Sequence, residues 1–82
     1  MRKTTIGPCT VLTRVRETLN LTPAETACLS GVIYRITNGG MQCWVQEIQG
    51  ALSFIDCGHH ITFVEHTNTP QISIIKITPT YA

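Results

Sequence analysis

The chain has 82 residues, 43% of them hydrophobic, with a formal net charge of +1. That length holds one small core and excludes a multidomain organisation, so residues 1–82 are read as a single β-rich domain with 1–8 as an arm. Charged residues make up 13%, about half the usual ~25%, which gives weak electrostatic protection against self-association.

The basic start, Met1-Arg2-Lys3, has no apolar run behind it, unlike a secretory signal. No apolar stretch approaches the ~20 residues that cross a membrane as a helix. An intracellular location is the expectation. Cys9, Cys28, Cys43 and Cys57 are then expected to be free thiols, since disulfides belong to oxidising compartments.

Residues 10–21, TVLTRVRETLNL, place Val11, Val15, Leu19 and Leu21 on one side of a period-2 pattern. Their β-branched content favours a strand over the competing helical reading. Thr22-Pro23-Ala24-Glu25 is a capping box with proline at the first helical position. It predicts one short helix near residues 23–30, with Gly31 as the stop.

From Gly31 to His66 the chain shows four β-rich runs, separated by Asn38-Gly39-Gly40, Gln49-Gly50 and Gly58-His59. That pattern predicts an antiparallel meander. Two-residue turns at these sites pair Val32 with Val45, Tyr34 with Cys43, Val45 with Phe54 and Phe54 with Phe63. All three registers put Val32, Tyr34, Ile36, Met41, Cys43, Val45, Leu52, Phe54, Ile61 and Phe63 on one face, which is the predicted core. The tail, Gln71 to Thr78, carries isoleucine at 72, 74, 75 and 77 and reads as one more strand. The predicted fold is mainly β, or α+β by strict count. Five or six antiparallel strands form a small sandwich or open barrel with the one short helix.

The second face of the predicted meander carries Ile33, Trp44, Ile48 and Ile55 among polar neighbours. A half-solvated sheet normally alternates more cleanly. Either a further layer of this chain covers these residues or another protein does. The expected function is a non-enzymatic protein–protein interaction module that forms a homo-oligomer through Ile33, Trp44, Ile48 and Ile55. The texture of a small, neutral, Ile- and Thr-rich chain is that of a viral or phage accessory protein.

Two alternatives rest on other residues. Arg2, Lys3, Arg14, Arg16 and Arg35 give the first half of the chain a basic bias suited to nucleic-acid phosphates. The overall pI of 7.7 falls short of the strongly basic footprint of such domains. Cys57, His59, His60 and His66 are zinc-ligand types gathered at one turn and the strand after it, though without the paired C-x-x-C spacing of structural zinc sites. A catalytic cysteine would need a histidine within hydrogen-bond reach and an orienting third group. The chain shows no such spacing and has little room for a cleft, so no enzymatic activity is expected.

Overall fold

A computed structural model describes residues 2–17 and 20–80. Its elements run β1 (Arg2–Ile6), β2 (Thr10–Thr13), α1 (Pro23–Thr37), β3 (Met41–Ile48), β4 (Ala51–Asp56), β5 (His59–Glu65) and β6 (Gln71–Pro79). The chain is mainly β, as its sequence predicts. The strands form a half-barrel sheet in the order β1-β3-β4-β5-β6-β2, mixed because β2 runs parallel to β6. No helix among the described residues is long and apolar enough to cross a membrane.

The capping box forms as expected. The Thr22 hydroxyl accepts from the Glu25 N–H at 3.1 Å, and the Glu25 carboxylate accepts from the Thr22 N–H at 2.9 Å. The helix does not stop at Gly31, however. It continues to Thr37, where the backbone N–H and the side-chain amide of Asn38 both donate to the Tyr34 carbonyl at 3.0 Å. The stretch read as the first strand of the meander is therefore the second half of a helix. Cys28, Leu29, Val32 and Ile36 recur at helical spacing and face the core, whereas Tyr34 turns outward and is 67% exposed. Packing of that stripe overrides the β preference of Val32, Ile33 and Ile36, which is worth only a few tenths of a kcal/mol per residue.

The strand predicted over 10–21 ends at Thr13. Beyond it the backbone still follows β6, with Arg14 N–H donating to the Ile74 carbonyl at 2.6 Å and Arg16 N–H to Ile75 at 3.3 Å. Thr18 and Leu19 lie outside the described residues. The N-terminal arm is β1, paired antiparallel to β3 from Arg2↔Val45 to Ile6↔Met41.

The hairpin turn between β3 and β4 is Gln49-Gly50, as predicted, with both residues at positive φ. The next turn is Cys57-Gly58 rather than Gly58-His59, so Phe54 pairs with Ile61 and Leu52 with Phe63. This register differs from the predicted one by two residues. Side chains alternate with period two, so the slip leaves every residue on its expected face. Phe54 and Phe63 still meet diagonally, edge to face at 5.7 Å. The core joins the helical stripe to Ile6, Met41, Val45, Leu52, Phe54, Ile61, Phe63, Ile72, Ile74 and Ile77. Cys43, expected within it, is half-buried.

The curl of the sheet follows from the chain's connectivity. β1 and β2 occupy opposite edges, yet only Gly7, Pro8 and Cys9 separate them. In a flat sheet the edges would lie roughly 24 Å apart, five spacings of about 4.8 Å. Four Cα–Cα steps reach at most about 15 Å. The edges must approach each other, and a half-barrel brings them there. Gly40 lies close against the backbone at the start of this junction. It has φ +85°, and a Cβ built on it would lie 2.9 Å from the Ile6 carbonyl oxygen.

Chemical denaturation should therefore show Gly40→Ala less stable than wild type by about 1–3 kcal/mol, the cost of a strained left-handed residue with a backbone clash. Thr22→Ala should cost about 1 kcal/mol through loss of the cap.

Candidate functional site: the groove between β3 and β4

β3 changes partner along its length. Residues 41–45 pair with β1, while Gln46, Glu47 and Ile48 pair with Ser53, Leu52 and Ala51 of β4. Beyond Gln46↔Ser53 the two central strands are no longer registered to each other. An open groove of about 650 Å³ lies there, lined by Met41, Gln42, Cys43, Trp44 and Gln46 from one side and by Phe54, Ile55 and Asp56 from the other. Arg35 and His60 complete its walls.

Of the four residues expected to form an apolar face, Trp44 and Ile55 line this groove, and Ile48 lies in the β3–β4 ladder beyond it. Trp44 is 61% exposed, Ile55 66% and Ile48 53%. Trp44, Gln46 and Ile48 alternate along β3 and so project to one side of the sheet. The fourth, Ile33, is on the helix and half-buried against the core, so the predicted row of Ile33, Trp44 and Ile55 across three strands does not form. Lys3, opposite Trp44 in the β1–β3 ladder, places its ammonium 5.9 Å from the indole centroid. Such exposed cation–π contacts contribute about 0.5–1 kcal/mol.

At one end of the groove, side chains distant in sequence converge. Arg35, in the last turn of the helix, pairs with the Asp56 carboxylate. The Cys28 thiol donates to the Asp56 carbonyl at 3.1 Å. The ligand atoms of Cys28, Asp56 and Cys57 all lie within 4.8 Å of one another. Burial, then the neighbouring Cys57 and Asp56, push the Cys28 thiol from its ordinary 9.0 up to about 11. Burial and the Asp56 charge also raise Cys43. Cys9 lies in the β1–β2 connection, raised by burial and by Glu65.

The turn that carries Cys57 is held on both sides. His59, buried, bonds the Cys57 carbonyl through Nδ1 at 3.0 Å; a carbonyl only accepts, so Nδ1 carries the hydrogen. The Gly58 carbonyl accepts from the Thr80 N–H at 3.1 Å and the Thr80 hydroxyl at 2.9 Å.

The zinc set read from the sequence is not assembled. Among the described residues Cys57 groups with Cys28 and Asp56 instead of with histidines. His59 is committed to the turn, His60 sits on the groove wall, and His66 bonds Ser73 Oγ through Nε2 at 2.7 Å. Cys28 could not be matched to Cys57 from the sequence, because only the fold brings the helix over the β4–β5 turn. The basic residues are dispersed as well. Lys3 is on β1 at one edge of the sheet, and Arg14 and Arg16 follow β2 at the other. Arg35 is paired with Asp56. The side chain of Arg2 lies outside the described residues.

Alkylation of the native protein should label exposed Cys57 rapidly and Cys28 only after denaturation, as read by peptide mass spectrometry. The raised Cys28 value also has a sign for stability. The folded thiol holds its proton more tightly than the unfolded one, so stability is intact below pH 9 and falls as pH rises toward about 11. Cys28→Ala should flatten that alkaline decline relative to wild type.

Compared with known proteins, the chain matches no family model, no curated protein and no solved structure.

Proposed function

We propose that the chain is a non-enzymatic interaction module that binds a second copy of itself through the face around the β3–β4 groove. The observation that carries this reading is the clustering of Trp44, Ile48 and Ile55, each more than half exposed, at one place on a sheet whose other face is packed. Contiguous apolar surface of this kind marks contact sites, and tryptophan is favoured at their centres.

The chemistry beside the patch favours a copy over a foreign partner. In a two-fold contact each surface meets itself, so a patch of one charge sign repels its mate. Here the apolar residues are flanked by Gln42 and Gln46, both exposed. A glutamine amide carries donors and an acceptor, and so is complementary to another glutamine. Two nearby ion pairs are internally neutralised, Arg35 by Asp56 and Lys76 by Glu17 at 2.9 Å, and the Lys3 ammonium lies over the Trp44 ring.

Light scattering and sedimentation equilibrium test the reading. At roughly 100 μM, above the micromolar Kd that even a weak interface of standard size reaches, the protein should be dimeric or larger. Trp44→Glu and Ile55→Glu should each give monomers whose melting temperature, extrapolated to low concentration, stays near that of wild type, because both side chains are exposed. A monomeric wild type at that concentration would overturn the proposal.

A further inference from the structure

Cys28, Asp56 and Cys57 gather at the groove's end, and the two thiols have no role in the proposed self-contact. We propose that they form a site for a thiophilic divalent cation of the zinc class, joining the helix to the β4–β5 turn.

The donor set suits such an ion. Zinc takes thiolates at about 2.3 Å and carboxylate oxygens at about 2.0–2.2 Å, so donors around one tetrahedral ion lie roughly 3.5–3.8 Å apart. The three donor atoms already lie within 4.8 Å of one another. Two thiolates and a carboxylate bring three negative charges. A divalent ion and the Arg35 guanidinium, already paired with Asp56, supply three positive ones. Arg35 holds Asp56 through Oδ2, an outer-sphere contact of the kind that orients ligating carboxylates. The fourth coordination position is left to water.

The hairpin turn sets the Cys57 backbone at φ +53°, as the β3–β4 turn sets Gln49 at φ +52°. The Cys57 turn is fixed by His59 on one side and Thr80 on the other, so the thiol is presented in a set place.

The test is a titration of the full chain, kept reduced, with Co2+ and then Zn2+. Binding of one Co2+ per chain, with a thiolate-to-cobalt absorption band of two-thiolate intensity that Zn2+ abolishes, is the expected result. Cys57→Ser, at an exposed position, should weaken binding at least about 100-fold, and Asp56→Asn about 10-fold, the range seen when ligands or their supports are lost. Cys28→Ser is read only if circular dichroism shows it folded. Cys9→Ser, remote from the cluster, should bind like wild type. The proposal is overturned if the reduced protein binds no stoichiometric Co2+ or if Cys57→Ser binds unchanged. It is equally overturned if Cys28 and Cys57 are recovered as a disulfide and their reduced form takes up no metal. None of these readouts depends on oligomeric state, so failure here leaves the self-association reading standing, and the converse holds.

Discussion

The change of partner within β3 governs most of what is distinctive about this molecule. One strand has two edges, and β3 commits one of them to β1 along residues 41–45 and the other to β4 along residues 46–48. Where the second ladder stops, β3 and β4 diverge and the sheet opens into the groove. Trp44 and Ile55 stand on the two banks of that opening, exposed on the outer face of the sheet. The same divergence leaves the end of β4 facing the helix, and that is where Asp56 meets Arg35 and Cys28.

The helix supplies the complementary constraint. A curled sheet of six short strands has a single concave apolar layer, and α1 is the element that closes it with Cys28, Leu29, Val32 and Ile36. Its outward residues are then free to do other things. Arg35 reaches the sheet, whereas Tyr34 faces solvent. A 15-residue helix of ordinary propensity gains most of its stability from that packed stripe.

The sequence made the inner face readable and left the outer arrangements hidden, for physical reasons. Alternation survives a two-residue slip, so Leu52, Phe54, Ile61 and Phe63 are assigned to the core whether the turn is Cys57-Gly58 or Gly58-His59. The helix–strand ambiguity at residues 31–37 is different. Val32 and Ile36 are four apart, which places them on one face under either period, so their burial is predicted correctly from the wrong element. Tyr34 is the residue on which the two periods disagree, and its exposure decides for the helix. The Cys28–Asp56–Cys57 cluster had no local signal, because its members are 28 residues or more apart except for one adjacent pair. The apolar character of Trp44, Ile48 and Ile55 was legible, but placing Trp44 and Ile55 across a gap required knowing where β3 and β4 part.

The three-residue connection between β1 and β2 also bears on the order in which the molecule is assembled. The first thirteen residues are synthesised first, yet their partners are residues 41–45 and 71–74. The β1 edge can form once residue 45 exists, but the β2 edge must wait for nearly the whole chain. The ladders from β3 to β6 join neighbours in sequence and close short loops, whereas β2 closes a loop of about 60 residues at higher entropic cost. The central meander with its helix is thus the natural nucleus, and the N-terminal strands dock on it as a clasp that snaps onto both rims at once.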